Sequence, residues 1–268
     1  MKKLFYIPFC VLMASCSSEQ QPQATEASAQ QPSDTKAGLT QVKVGFIASA
    51  TGNAPLNSLD EKGMFEGFEH DILQEVAKRA NYNFTYEYKP RKQLMDDVEN
   101  DGVQIVAGNI SITEDRVAKY AMTNSYLDAY PVTILSKDAE LKSMEQLKDK
   151  SVAIKDSPID TFYDVVNTQK AEEKDNIHYV NSDWLAVKNV LSGDSVAAIG
   201  NSSVMPYYFE KYSTKETPLH FAIDYAYPQE SYGFLLKKDN KQLLDDINKS
   251  LADMKADGTY QSIFKKWF

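Results

Sequence analysis

An α/β protein of two similar lobes is the fold class this sequence predicts, on three observations. Strand-like and helix-like apolar periods alternate from Gln41 onward. The alternation runs through one β–α–β–α–β unit and then begins again. Two extended apolar segments lie where the chain passes from one unit to the other.

Val42, Val44 and Phe46 alternate as a strand, and Ile72, Leu73, Val76, Ala77 and Ala80 mark one face of a helix over Glu69–Ala80. Phe84, Tyr86 and Tyr88 alternate again. Leu94, Met95 and Val98 predict a short helix that stops near Gly102, and Val103–Ala107 reads as a continuous buried strand. Such a unit implies a parallel sheet covered on both faces. The second unit opens with a capping box, Ser143 with Gln146, before Leu147. A strand over Ser151–Ile154, a helix over Ser157–Asn167 and a strand over Ile177–Val180 follow. A helix over Asp183–Leu191 and a strand over Val196–Gly200 complete it. Pro131–Leu135 and Tyr232–Leu236 are the expected crossings, placed side by side as a hinge. A final amphipathic helix over Lys241–Asp257, stopped by Gly258, is expected to pack back on the first lobe. The expected boundaries are residues 42–133 with 234–268 for lobe 1, and 134–233 for lobe 2. A rigid single sheet with no cleft motion is the alternative.

The N-terminus has its own chemistry. Lys2 and Lys3 precede an apolar run from Leu4 to Met13, too short to span a bilayer, so residues 1–15 read as a signal peptide. Met13-Ala14-Ser15-Cys16 resembles the bacterial lipobox, which implies that the Cys16 sulfur is acylated and that Cys16 becomes the mature N-terminus. An ordinary signal peptide with Cys16 incidental is the other reading. Residues 16–41, rich in Gln, Ser, Ala, Thr and Pro, hold too little apolar surface to offset ordering entropy and read as a disordered tether. Formal net charge is −9, and losing Lys2 and Lys3 deepens it by two, which argues against nucleic acid or anionic lipid headgroups as partners. Cys10 leaves with the leader and Cys16 serves the anchor, so no disulfide or thiolate chemistry is expected. His70, His178 and His220 are scattered without companion ligands, and neither metal nor other cofactor is expected.

Four segments carry a family resemblance. Gly67-Phe68-Glu69-His70-Asp71-Ile72 opens the first helix, and Asn109-Ile110-Ser111-Ile112-Thr113-Glu114-Asp115-Arg116 follows the buried strand. Leu191-Ser192-Gly193 with Ala197-Ala198-Ile199-Gly200-Asn201-Ser202 lies in the second unit. Lys255–Tyr260 and Lys265–Phe268 form the tail. In this order they resemble the periplasmic amino-acid-binding proteins of ABC importers, bacterial solute-binding protein family 3. The resemblance implies the two-lobed periplasmic-binding-protein fold (type II), with two crossover hinge strands. It also implies an amino acid held between the lobes and delivery to a permease with its ATPase subunit; the chain has no phosphate-binding loop of its own. A monomer is expected.

The same resemblance assigns roles. Arg116 grips the ligand α-carboxylate through its planar fork. Asn109, Ser111 and Thr113 lie in the turn where free N–H groups favour an anion. Ser157 and Ile159 stand where the second lobe offers its own turn. Asn201 occupies the place of an Asp that pairs the ligand ammonium, and as an amide it brings no charge; Glu230 is the candidate replacement. Arg91 stands where many members place an aromatic, and the loop from Ala48 to Asn57 is long and lacks an acid. Arg91 points toward an anionic or polar ligand side chain, whereas the acidic net charge favours a cationic one. Glu69 and Glu66 are expected to favour the helix N-terminus through its dipole rather than to touch ligand. Trp184 and Trp267 read as core. Two further functions stay open: a cyclohexadienyl dehydratase-like enzyme, with Glu69, His70 or Glu230 as acid–base groups, and a sensor or surface lipoprotein.

Overall fold

The computed structural model describes residues 38–48, 53–157 and 160–268. The leader, Cys16, the tether up to residue 37 and Ile159 lie outside the described residues.

In the first half, β1 (Thr40–Ile47) is followed by the hairpin β2 (Ser58–Leu59) and β3 (Phe65–Glu66), then α1 (Phe68–Ala80), β4 (Tyr82–Lys89) and α2 (Arg91–Glu99). Next come β5 (Ile105–Ala107), α3 (Glu114–Lys119), β6 (Ala121–Met122) and β7 (Leu127–Ala129). The second half holds β8 (Thr133–Ser136), β9 (Val152–Lys155), α4 (Thr161–Gln169), β10 (Ile177–Val180), α5 (Asp183–Ser192), β11 (Ala197–Gly200), α6 (Met205–Tyr212) and β12 (His220–Ile223). The chain closes with β13 (Glu230–Tyr232), β14 (Leu235–Leu236), α7 (Lys241–Asp257) and α8 (Thr259–Trp267).

Two five-stranded sheets result, ordered β4-β1-β5-β14-β6 and β10-β9-β11-β8-β12. In the first, Val44 lies opposite Tyr86 on one side and Ile105 on the other, both parallel. The expected all-parallel sheets prove mixed. Leu235 pairs antiparallel with both Val106 and Met122, and β8 runs antiparallel to β11 and β12. The reason is topological: β8 and β14 are the strands by which the chain enters each sheet from the ribbon, and each runs against its neighbours there.

The crossings also lie elsewhere than expected. The paired ribbon is β7 with β13, Leu127 opposite Tyr232 and Ala129 opposite Glu230. Thr133–Ser136 is instead an interior strand of the second sheet, buried at all four positions. Tyr232–Leu236 divides at Gly233, whose missing side chain lets the backbone approach Thr123 O; a Cβ there would come within 3.0 Å of it.

Helix α1 buries Ile72, Leu73, Val76 and Ala77 of the expected stripe, with Phe68 beside them, and leaves Ala80 half-buried. Helix α7 packs against it through the buried Leu243, Ile247, Leu251 and Met254, each contributing about 1.5–3 kcal/mol. Helix α4 starts at Thr161, four residues later than expected, because Ser157 precedes Pro158 and the residue before proline is biased away from helical geometry. The capping box reduces to Gln146 Oε1 accepting the Ser143 N–H at 3.1 Å above a single 3₁₀ turn, Glu145–Leu147. Trp184 and Trp267 are half-buried rather than core. Trp184 stacks on Tyr212, and Trp267 donates its indole N–H to Asp71 at 2.8 Å.

Candidate functional site

The C-terminal ends of β1, β5, β9 and β10 border one cavity of about 120 Å³. Its walls are Ile47, Ala48, Asn53, Gly108 and Asn109 from the first half, and Lys155, Asp156, Ser157, Asp160 and Asn181 from the second. Strand ends are where open α/β sheets bind ligands, because the loops there are free to vary while the sheet stays fixed.

Glu69 organises the first-half wall. It is fully buried at the start of α1 and accepts from Asn109 N at 2.8 Å, Gly108 N at 3.2 Å, Asn57 Nδ2 at 2.5 Å and the Tyr126 hydroxyl. Burial raises its pKa above the usual carboxylate range, while these donors pull it back. The loop before it caps the helix, as Pro55 O and Leu56 O accept the N–H groups of Phe68 and Glu69 at 2.9 and 2.8 Å. Gly67 makes this overlap possible: its φ is +125°, and a Cβ would lie 2.3 Å from Leu56 O.

Arg116 lies on α3, capped by Thr113, whose hydroxyl accepts Arg116 N at 3.4 Å. Its guanidinium is half-buried and donates through Nη1 to Ser111 O at 2.7 Å. Among the described residues no carboxylate comes within 4.0 Å of it. Burial draws its pKa below the ordinary arginine value, opposed by the charges of Asp160 and Glu230. Arg91 is drawn down too, by burial first and then by the neighbouring Arg116. Glu230, on the ribbon, joins the two halves. It accepts the Ser111 hydroxyl at 3.4 Å, the Tyr232 hydroxyl at 3.1 Å and the Thr161 hydroxyl at the start of α4.

The second-half wall carries a cation between two acids. Lys155 Nζ lies 3.3 Å from Asp160 and 3.5 Å from Asp183. Burial works against its charge, yet Asp183 and Asp160 hold its pKa above the usual lysine range. Burial raises Asp183, offset by Lys155.

The expected site residues therefore divide. Asn109 and Ser157 line the cavity; Arg116, Ser111, Glu230 and Arg91 gather beside it around Asp160. Thr113 is exposed and acts through the backbone of Arg116. Asn201 is buried with Oδ1 taken by Ser203 N at 3.1 Å and Ser203 Oγ at 2.5 Å. Sequence reading missed Asn53, Lys155, Asp160 and Asn181. A lysine closing the otherwise apolar strand Val152–Lys155, with acids following, was the available signal for the second-half pair.

Residues 46–268 match the family of bacterial extracellular solute-binding proteins, family 3. The chain is 26% identical over 215 residues to the amino-acid-binding protein AabA of Dichelobacter nodosus, covering 80% of this chain and 83% of that one. It is 28% identical over 228 residues to the histidine-binding periplasmic protein of Escherichia coli K12, covering 80% and 84%. Among solved structures, an ancestral cationic amino acid solute-binding protein superposes with a TM-score of 0.72 at 25% identity, covering 85% of this chain and 95% of that one. Motif order, two sheets joined by a ribbon and a cavity at the strand ends agree with these similarities: the chain belongs to the bacterial extracellular solute-binding proteins, family 3.

Proposed function

We propose that this chain is a lipid-anchored receptor that encloses one amino acid between its lobes and hands it to a membrane permease powered by a separate ATPase. The lobes are the expected residues 42–133 with 234–268, and 134–233, except that Thr133, which opens β8, goes with the second, and they close about the β7–β13 ribbon. The observation that carries the reading is Arg116: a half-buried guanidinium, braced by Ser111 O, with no carboxylate within 4.0 Å among the described residues. A half-buried cation of this kind is stabilised by an anion that arrives with the ligand.

Two features weigh against acid–base catalysis at this site. Glu69 has both oxygens engaged by protein donors, and burial lowers the His70 pKa to about 4, so the ring is neutral at pH 7. Prephenate and arogenate are expected to remain unchanged on incubation with the pure protein.

Calorimetry across the twenty amino acids tests the receptor reading. At least one is expected to bind, and Arg116→Ala is expected to abolish that binding with the fold retained, a loss of about 3–5 kcal/mol. Unchanged affinity in the variant rejects the assignment. The anchor is tested separately. Cys16→Ser is expected to release the protein from membranes and to remove labelling by a fatty-acid analogue, since lipid chains provide stable anchoring in pairs or more. A variant that stays in the membrane fraction would overturn the anchor.

A further inference from the structure

We infer that Tyr126 is a positioning residue that couples the first-half wall of the cavity to the β7–β13 ribbon, with the C-terminal helices as its mount. The inference rests on the receptor reading above and supplies what that reading lacks, a physical connection from a seated ligand to the bend between the lobes. Tyr126 is 1% exposed and directly precedes β7. Its hydroxyl donates to Glu69, the carboxylate that also accepts from Gly108 N and Asn109 N of the cavity wall and from the Asn57 side chain. Its backbone N–H donates to Tyr232 O on β13 at 3.0 Å. Its ring stacks on Phe234, between β13 and β14, with 4.4 Å between centroids. One residue thus bonds to the carboxylate behind the wall and to the ribbon.

The chain leading up to Tyr126 is tied down residue by residue. Asn124 N donates to Asn248 Oδ1 at 2.7 Å, Ser125 O accepts from Lys255 Nζ at 2.9 Å, and Tyr126 O accepts the Tyr260 hydroxyl at 2.7 Å. Asn248 and Lys255 lie on α7 and Tyr260 on α8, and both helices pack on α1. Among the described residues, no side chain of either helix hydrogen-bonds to Leu127–Ala129 or Glu230–Tyr232. The mount ends where the ribbon begins. A buried hydroxyl–carboxylate bond is costly to leave unmade, so a ligand that shifts the Gly108–Asn109 turn moves Glu69 and, through it, Tyr126. Phe68 and Phe234 pack against the ring, which leaves it little slack to absorb the shift. With Tyr126 O held by α8, the displacement passes to Phe234 and the Tyr232 carbonyl. Contiguous packed and hydrogen-bonded groups of this sort can carry coupling between a site and a moving element.

The test uses Tyr126→Phe, which keeps the ring and removes the hydroxyl. Calorimetry with the tightest of the twenty amino acids reads affinity, and small-angle scattering at saturating ligand reads how far the chain contracts. Tyr126→Phe is expected to weaken the amino acid by about three- to thirtyfold and, even at saturation, to contract at most about half as far as wild type. The double variant Glu69→Gln with Tyr126→Phe should lose no more contraction than Tyr126→Phe alone, because both changes cut one link. Tyr260→Phe releases Tyr126 O from α8 without touching the Glu69 bond, and it too is expected to reduce the contraction, so the inference stays open to test if Tyr126→Phe does not fold. A purely structural role predicts otherwise: melting temperature falls while contraction at saturation stays complete. That result, or losses that simply add in the double variant, would overturn the inference and leave the receptor reading intact. A wild-type chain that binds an amino acid without contracting would remove the hinge and this inference together, and one that binds no amino acid would remove the receptor reading itself.

Discussion

Glu69 shows how one side chain serves a site it does not enter. It ties the start of α1 to the Asn57 loop, the Gly108–Asn109 turn and Tyr126. Its raised pKa has a definite consequence for pH. The folded state holds this proton at pH values where the unfolded chain has lost it, so the contribution of Glu69 to stability falls as pH climbs above the ordinary glutamate value of 4.5. Glu69→Gln is expected to remove that decline from melting curves taken between pH 4 and 7. It is also expected to cost about 1–3 kcal/mol throughout, because an amide donor would face the Asn57 donor. A variant with the wild-type pH slope would show that another group sets it. The reverse lesson comes from Asn201 and Asn53. The sequence marks position 201 by its motif, but nothing in one dimension reveals that Ser203 captures its oxygen, nor that Asn53 lines the same cavity as Asn109.

Among the elements, those with strong periodicity were legible. The stripe Ile72, Leu73, Val76, Ala77 and the alternation Val42, Val44, Phe46 define α1 and β1 because burial of each position follows from backbone geometry alone. The Gly258 stop of α7 appeared where expected, in the left-handed conformation. What escaped was pairing. Thr133–Ser136 and Leu235–Leu236 look alike as extended apolar runs, and only the path of the chain decides which is interior to which sheet. The loop–helix junction supplies the prediction at this level. Gly67→Ala forces a side chain to within 2.3 Å of Leu56 O at φ +125°, and a strained backbone of this type costs about 1–3 kcal/mol. The loop that carries Asn53 should shift with it, so thermal melting and ligand affinity are expected to fall together. Lower stability with affinity unchanged would separate the loop from the site.

For the molecule as a whole, the reading proposed above places the bend between the lobes at the short antiparallel ribbon β7–β13 that joins the two sheets. Glu230 sits on that ribbon and accepts from Ser111 of the first half and Thr161 of the second. It therefore favours the conformation in which the two are near. Small-angle scattering is expected to show a smaller radius of gyration on adding the bound amino acid. Glu230→Ala should leave the ligand-free protein more extended than wild type. Identical curves with and without a calorimetrically confirmed ligand would argue for a rigid cleft. A hundredfold excess of ligand over its Kd should add about 2.7 kcal/mol of stability, and Arg116→Ala should show none of it.

The insertion of Leu235–Leu236 between Val106 and Met122 has a consequence for the order of events in biosynthesis. A nascent chain that has emerged only as far as Tyr232 has all the strands of its second sheet, but in the first the slot between β5 and β6 is still empty. The half encoded first is thus completed last, and in a chain still being synthesised its sheet stays open along that slot.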